Sequence, residues 1–231
     1  MKNIVMLLGI LGTGLLLAQS APMHYYRFDG EAIVDSVGDC HGKVARLMQA
    51  DGFYGKALYF PAAGDSERNV ACAVSIPIPP ETFTKPFTAT LWLKLDEKNS
   101  YRFFKDLLCL GRERGPGFRL TYFYNSLSLR SGDGKVVGPT VGTNSSTVLL
   151  PLKRWFQVAV TYDGEKGSIY LDGVLKASGK INLSLGKGAL SVGTYANGYA
   201  YPVQGAIDEL KIYGTALTHS QIVDAYLREM K

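Results

Sequence analysis

The stretch from residue 155 to residue 175, WFQVAVTYDGEKGSIYLDGVL, constrains the fold of this chain more than any other. Apolar residues from Phe156 to Tyr162 alternate with polar or small ones, which is typical of a strand with two different faces. Asp163 and Asp172, each followed by Gly, break the alternation twice and indicate turns. The stretch therefore predicts an antiparallel hairpin at the centre of a sheet.

Short alternating runs of the same kind occur along the whole chain, separated by turns rich in Gly, Pro and Asp. They predict strands at 24–29, 57–61, 70–76, 87–95, 107–111, 118–124, 126–130, 136–141, 189–195 and 207–213. Only the C-terminus is helical in pattern: Thr218 is an N-cap candidate, and Ile222, Val223 and Tyr226 fall at helical spacing. The prediction is an all-β fold, a two-sheet antiparallel β-sandwich or jelly roll with a short C-terminal helix.

The N-terminus reads as a secretory signal peptide over residues 1–20. Lys2 precedes an apolar run at 4–17, and small residues favour cleavage before Ala21, with cleavage after Ala18 as the alternative. The run is shorter than the ~20 apolar residues that a membrane span needs. We therefore predict one domain over residues 21–231, exported to the medium, the periplasm or the cell surface, with no membrane span after cleavage.

The charge balance is mildly basic, with 25 Lys and Arg against 20 Asp and Glu. No run of basic residues suggests nucleic acid as a partner, whereas an acidic glycan is compatible with the balance. Three cysteines cannot all pair within one chain. Cys109 lies in an apolar run and is predicted to be a buried thiol, which leaves Cys40 and Cys72 as the candidate disulfide.

Several motifs, in a fixed order, resemble the concanavalin A-like, laminin-G-like jelly rolls. They are GKALYF at 55–60, FTATLWLK at 87–94, the hairpin at 155–173, GAIDELKIY at 205–213 followed by ALT at 216–218, and an opening strand with Asp29 and the DSVG at 35–38. The resemblance covers residues 24–226. It implies two stacked antiparallel sheets of six or seven strands, with the first and last strands adjacent.

That family contains lectins, carbohydrate-binding modules, adhesion domains and some glycosidases and lyases, so the fold alone does not decide the function. Glycosidases need two carboxylates flanking the scissile bond, and glucanases of this family carry them as E-x-D-x-x-E, which is missing here. Asp208 and Glu209 are adjacent in a strand and would face opposite sides. We predict that the chain is not an enzyme.

Jelly rolls of this class often hold calcium, and the resemblance makes Asp29, Asp35 and Asp208 candidate ligands for a structural Ca²⁺. The alternative for Asp208 is a structural carboxylate that accepts backbone N–H bonds where the first and last strands meet.

Two sequence segments are candidates for ligand binding. The loop at 194–202 carries Tyr195, Asn197, Tyr199 and Tyr201, whose rings and amide suit the apolar faces and hydroxyls of sugars. The alternative is that these tyrosines pack over a sheet edge. Arg112 and Arg114, with Arg119, form a second cluster that could meet carboxylate or sulfate groups; the alternative is a solvated turn.

The predicted function is an exported, non-catalytic carbohydrate-binding or adhesion domain whose partner is a glycan or another cell-surface component. The alternatives are a polysaccharide-active hydrolase or lyase with dispersed catalytic residues, and a structural surface protein that makes protein contacts.

Overall fold

The computed structural model describes residues 20–61, 72–96, 104–111, 116–123, 126–131, 137–141, 150–195 and 201–231. Nearly all regular structure in these residues is β. The strands are β1 (His24–Tyr26), β2 (Lys43–Arg46), β3 (Gln49–Asp51), β4 (Lys56–Phe60), β5 (Ala73–Ile76), β6 (Phe87–Leu95), β7 (Lys105–Leu110), β8 (Phe118–Phe123), β9 (Ser126–Ser131), β10 (Val137–Val141), β11 (Trp155–Tyr162), β12 (Lys166–Leu171), β13 (Val174–Lys180), β14 (Leu190–Val192) and β15 (Gly205–Tyr213). One 3₁₀ turn (Pro80–Phe83) and one helix, α1 (His219–Glu229), complete the described elements.

The strands form two antiparallel sheets stacked as a sandwich. The back sheet has eight strands in the order β13-β12-β11-β6-β15-β4-β3, with β1 also paired to β15. The front sheet has seven, in the order β10-β9-β8-β7-β14-β5-β2. The predicted β-sandwich of jelly-roll type with a C-terminal helix is therefore confirmed.

Aliphatic and aromatic side chains from the facing sides of both sheets fill the space between them. In β6 the inward residues are Phe87, Ala89, Leu91 and Leu93, and in β8 they are Phe118, Leu120 and Tyr122; all are buried. Because side chains alternate along a strand, every second residue of these runs points out of the sandwich. The outward residues decide what each outer face can do.

Two topological expectations are met in the back sheet. The first strand pairs with the last, with His24 opposite Ile212 and Tyr26 opposite Leu210. The predicted central hairpin forms β11 and β12, and β11 lies between β6 and β12. The Asp-Gly pair at 172–173 makes the turn into β13, where Gly173 has a φ of 74° that favours glycine.

A β-bulge in β15 corrects the expected placement of its two carboxylates. The pairing with β6 shifts between Asp208 and Lys211, and Glu209 has a φ of 52°. The extra residue puts Asp208, Glu209 and Lys211 all on the outer side, while Ile207 and Leu210 stay in the core. The prediction that Asp208 and Glu209 face opposite sides is wrong, because strict alternation fails at a bulge.

Helix α1 packs on the outer face of the back sheet. Thr218 and Gln221 form a capping box at its start, which confirms the predicted N-cap. Ile222 and Leu217 pack on Ala159, Tyr170 and Tyr213 of the sheet. Trp92, 2% exposed, is stacked between Phe53 and Tyr226, so its ring is part of this packing and is not accessible for stacking on a ligand.

Glu229 fastens the end of α1 to three adjacent strands. Its Oε2 accepts hydrogen bonds from Trp92 Nε1 of β6 at 2.5 Å and from Gln157 Nε2 of β11 at 2.8 Å. Its Oε1 pairs with the ammonium group of Lys211 on β15. One carboxylate therefore satisfies three polar groups that lie largely away from solvent.

Asp35 organises the loop that follows β1. It accepts backbone N–H bonds from Tyr25, Val37, Gly38 and Cys40, and its Oδ2 lies 2.6 Å from His24 Nδ1. Burial alone would raise the pKa of Asp35, but hydrogen bonds from Gly38, His24, Tyr25 and Val37 outweigh it and lower the pKa to about 2. The carboxylate is thus held ionised by the loop around it.

The predicted signal peptide lies outside the described residues apart from Ser20. In the part of the chain that the structure describes, no helix has the length and apolarity needed to cross a membrane.

We expect Glu229→Ala to lower the free energy of unfolding by about 2–4 kcal/mol, because it leaves the Trp92 N–H, the Gln157 amide and the Lys211 ammonium without their acceptor. Urea titration followed by tryptophan fluorescence would measure this. Glu165→Ala, in the exposed turn between β11 and β12, is the matched control and should change stability little. Equal midpoints for the two variants would contradict the assigned role of Glu229.

The lowered pKa of Asp35 predicts that the free energy of unfolding falls in acid. Its folded-state pKa is lowered from 3.8 to about 2, so its contribution is present above pH 3.8 and is lost as the pH falls through about 2. Asp35→Asn should be less stable than wild type at pH 7 by about 1–3 kcal/mol, because an amide accepts hydrogen bonds from the buried N–H groups more weakly than a carboxylate does. Its stability should also fall less steeply than that of wild type over this acid range. Parallel pH profiles for the two proteins would count against the prediction.

Candidate functional site

The outer face of the front sheet carries a row of polar and charged side chains. In β8, Arg119, Thr121 and Phe123 point outward, since Phe118, Leu120 and Tyr122 belong to the core. In β9, Ser128 and Arg130 point outward, since Leu127 and Leu129 belong to the core. Helix α1 lies on the other sheet. The outward side chains at the centre of this face are nonetheless buried, with Arg119 4%, Ser128 3% and Thr121 0% exposed.

Asp106 of β7 fixes Arg119 of β8 in one orientation. Asp106 is 0% and Arg119 4% exposed. Arg119 Nε donates to Asp106 Oδ1 at 3.0 Å, and Nη2 donates to Oδ2 at 2.9 Å. A bidentate pair of this kind holds the guanidinium plane rigidly. Arg119 is therefore held in one orientation on the outer side of the sheet.

A second guanidinium lies beside the first. Arg130 of β9 is directly opposite Arg119 in the antiparallel ladder. Its Cζ is 4.1 Å from the centroid of the Phe104 ring, a cation–π contact, and Phe104 in turn packs on Phe123 at 4.5 Å. Burial lowers the pKa of Arg130, and the charge of Arg119 lowers it further, while Asp106 acts in the opposite direction.

Two tyrosines border this charged row. Tyr195 follows β14, and Arg119 Cζ lies 5.2 Å from its ring centroid. Its ring is 6.4 Å from that of Tyr201, and both side chains are partly exposed. Tyr201 has a φ of 56°, in the left-handed region that a tyrosine seldom adopts. The tyrosines and the arginines therefore form one cluster on the outer side of the front sheet, which we call the front face. Its partly exposed members are Phe104, Phe123, Arg130, Tyr195 and Tyr201. Its buried members are Asp106, Arg119, Thr121 and Ser128.

The sequence-predicted binding residues are placed only in part. Tyr195 and Tyr201 lie together and partly exposed, next to Arg119 of the second predicted cluster. Asn197, Tyr199, Arg112 and Arg114 lie outside the described residues. Asp106, Phe104 and Arg130 were not predicted from the sequence. The alternation in FRLTYF and SLSLRS was the available signal, since it puts Arg119 and Arg130 on the polar side of two neighbouring strands.

The predicted calcium ligands do not converge. Asp29 accepts the backbone N–H of Lys56. Asp208 accepts the backbone N–H groups of Phe53, Tyr54 and Glu209. Asp35 accepts backbone N–H groups of the loop that follows β1, such as that of Gly38. The residues therefore do not fit a shared calcium site, and the alternative of a structural carboxylate describes Asp208 better. Calcium stays a prediction without an assigned site.

Asp208 titrates near neutrality because of where it lies. Burial raises its pKa to about 7, although the backbone N–H groups of Tyr54, Glu209 and Phe53 act to lower it. A strongly shifted carboxyl group can mark an active site. Here the group is 0% exposed and engaged by the backbone beneath α1, so the shift is explained by packing.

The predicted disulfide is absent: Cys40, Cys72 and Cys109 are all free thiols. Cys40 Sγ lies within 4.8 Å of ligand atoms of both His24 and Asp35. Cys72 is 1% exposed, and its sulfur is hydrogen-bonded to the backbone of Met48. The two sulfurs thus have different neighbours, and a bridge is not formed. Cys109 is buried as predicted.

Solved structures of the same fold include several binding domains. Domain 4 of AbnA, a GH43 extracellular arabinanase from Geobacillus stearothermophilus, solved in complex with arabinotriose, has a TM-score of 0.67 at 21% identity, covering 89% of this chain and 98% of that one. The binding domain of botulinum neurotoxin serotype G has a TM-score of 0.66 at 14% identity, covering 90% of this chain and 51% of its own. The binding domain of Paraclostridial Mosquitocidal Protein 1 has a TM-score of 0.65 at 15% identity, covering 89% and 51%.

These likenesses, all below 25% identity, show the shared fold, and the chain spans only about half of the toxin domains. No curated protein matches the sequence. A family model described as the concanavalin A-like lectin/glucanases superfamily matches residues 71–223, which is more than half of the chain. The protein therefore belongs to the concanavalin A-like lectin/glucanase superfamily.

Proposed function

We propose that the protein is an exported, non-catalytic carbohydrate-binding domain, and that the front face is where it holds a glycan. The observation that carries the proposal is the juxtaposition of Tyr195 and Tyr201 with Arg119, whose orientation Asp106 fixes. Sugars offer C–H faces that stack on aromatic rings and hydroxyls that accept from guanidinium groups. At the front face the partly exposed rings of Tyr195 and Tyr201 would supply the stacking and the partly exposed Arg130 the guanidinium, while the buried Arg119 supports the Tyr195 ring.

Preorganisation favours binding at this face. Arg119 is buried and held by two hydrogen bonds, and Arg130 is stacked on Phe104. Long side chains lose rotamer freedom when they grip a ligand, at a cost of about 0.5–1.5 kcal/mol each. Since Arg130 is already ordered by Phe104, and the buried Arg119 packs against the Tyr195 ring, a glycan held by Arg130 and Tyr195 would meet little of that cost.

The nearby fold relatives agree with a binding role. The arabinanase domain carries arabinotriose, and the toxin chains are named as binding domains. At these identities they supply an analogy for the function. The arabinanase domain is the more useful one, because almost its whole length corresponds to this chain.

The distribution of carboxylates argues against glycoside hydrolysis at this face. That reaction needs two carboxyl groups on either side of the scissile bond. Among the described strands of the front sheet, Asp106 is the sole acidic residue, and both of its oxygens accept hydrogen bonds from Arg119. A carboxylate held in this way is poorly suited to give or take a proton during a reaction.

Export is proposed from the N-terminal sequence, and an adhesive role at a cell surface is one way in which such a domain would be used. The two alternative functions, a polysaccharide-active enzyme and a protein-binding surface domain, make different predictions in a glycan assay. Turnover of a bound oligosaccharide favours the first, and failure to bind any glycan favours the second.

We expect Tyr195→Ala to weaken binding to the best ligand from a glycan array by about 1–2 kcal/mol, the usual effect of removing an aromatic contact. Its melting temperature should change little, because the side chain is only partly buried. Tyr54→Ala is the control: Tyr54, 44% exposed, lies on the side of α1, where its hydroxyl donates to the Glu229 carbonyl. That variant should keep full affinity. A Tyr195 variant that loses stability but not affinity would make the ring structural and reject the proposed site.

A further inference from the structure

His24, Asp35 and Cys40 bring three different metal-binding groups together beside the first strand. The imidazole of His24 is on β1, and the carboxylate and the thiol belong to the loop that leads from β1 to β2. A ring nitrogen, a carboxylate oxygen and the sulfur all lie within 4.8 Å of one another. Donor atoms around one zinc ion are about 3–4 Å apart, because their bonds to the ion are about 2.0–2.3 Å long. The three groups therefore need only a small movement to share an ion.

Gly38 leaves open the space in which these groups meet. A side-chain carbon at this position would lie 2.8 Å from each of His24 Nδ1, Asp35 Oδ2 and the carbonyl oxygen of Met23. The backbone conformation does not call for glycine here, since the φ of Gly38 is not positive. The close approach of these atoms is the reason that a larger residue would not fit. The gap beside Gly38 thus adjoins an imidazole nitrogen, a carboxylate oxygen and a carbonyl oxygen at once.

The charges of this cluster match a divalent cation. Asp35 is 4% and His24 6% exposed, and a buried ion needs opposite charges close to it. Cysteine binds metals as the thiolate, so Asp35 and Cys40 together supply two negative charges. Asp39 is exposed, and its charge also acts on the Cys40 thiol. Because Cys40 itself is partly exposed, an ion can reach the cluster from solvent on this side.

His24 can give up its present hydrogen bond at little cost. Nδ1 lies 2.6 Å from Asp35 Oδ2, whereas Nε2 is buried and has no hydrogen-bond partner among the described residues. When the ring proton moves from Nδ1 to Nε2, the bond to Asp35 is lost and a bound ion replaces it. Asp35 keeps the backbone donors Tyr25, Val37 and Gly38, because all three bind its other oxygen, Oδ1. The loop therefore stays formed while Oδ2 turns to the ion.

We infer that His24, Asp35 and Cys40 form a binding site for a divalent transition-metal ion, of which Zn²⁺ is the best match, through Nδ1, Oδ2 and Sγ. The Met23 carbonyl oxygen or a water molecule completes a set of four ligands. A set that mixes nitrogen, oxygen and thiolate sulfur suits Zn²⁺, whereas Ca²⁺ takes oxygen ligands. The thiol proton leaves to solvent when the ion binds.

The role of this ion is structural. It fastens β1 of the back sheet to the loop that enters β2 of the front sheet, so it links the two layers of the sandwich where the sequence suggested a disulfide. The site is independent of glycan binding at the front face, because it shares no residue with it.

The test uses the full mature chain without a histidine tag, freed of metal by a chelator and kept under reducing conditions. In isothermal titration calorimetry Zn²⁺ should bind at one ion per chain. Zn²⁺ should also raise the melting temperature, as expected for an ion that binds the folded state, and the same concentration of Ca²⁺ should do neither. Co²⁺ in place of Zn²⁺ should give a thiolate-to-cobalt charge-transfer band in the near ultraviolet, because one ligand is a cysteine.

Cys40→Ser is the decisive variant, because serine has nearly the same shape and the side chain is partly exposed, so the fold should be kept. It should abolish the cobalt band and weaken Zn²⁺ binding by about a hundredfold or more, since removing even a hydrogen-bond partner of a metal ligand costs about 10–100-fold. His24→Gln should weaken binding by a similar factor. His219→Gln is the matched control: it removes an exposed imidazole from the start of α1 and should bind Zn²⁺ as wild type does.

The outcomes separate this site from adventitious binding and from the proposed function. Absence of Zn²⁺ binding, equal binding by wild type and Cys40→Ser, or a cobalt complex without the thiolate band overturns the site. A comparable loss in His219→Gln attributes the binding to surface histidines and overturns it as well. Binding that is lost in Cys40→Ser and in His24→Gln but kept in His219→Gln supports it. The glycan-binding proposal stands or falls separately, with the Tyr195 variant.

Discussion

The pairing of Glu229 with three strands determines how helix α1 is held on the back sheet. By accepting from Trp92, Gln157 and Lys211, this carboxylate holds α1 flat against the centre of the back sheet. On that face Trp92 stacks on Phe53, Asp208 accepts the backbone N–H of Phe53, and Glu209 pairs with Lys211. The proposed site lies on the opposite side of the sandwich, on the outer face of the front sheet, where Asp106 orders Arg119.

Much of the fold is readable from the sequence because the strands that build the core have a strict period of two. The boundaries of β6 and the existence of the central hairpin follow from alternation and Asp-Gly turns alone. The short or exposed strands β2, β3 and β13 cannot be predicted in this way, since a strand with few buried residues shows little alternation. The bulge at Glu209 escapes it too, because nothing in the sequence marks a non-glycine residue that adopts a positive φ.

The site is less predictable than the fold for a different reason. Tyr195, Tyr201 and Arg119 could be proposed from local composition, but their contact depends on β8 and β14 both bordering β7. The same holds for Arg119 and Arg130, where the pairing register decides that two cations meet. Three aspartates suggested a shared ion, and the structure instead gives each its own set of backbone donors. Sequence indicates which residue types are present, whereas long-range pairing decides which of them are neighbours.

The adjacency of β1 and β15 brings both ends of the described chain to one side of the sandwich. Ser20 lies beside Tyr213, Leu217 and Asp224 at α1, and the chain finishes just after that helix. A label, a surface tether or a second domain joined at either end would therefore sit behind the back sheet. An immobilised or tandem form of this domain would keep the proposed glycan site directed outward. Several copies on one scaffold would then gain avidity for a long polysaccharide that binds there.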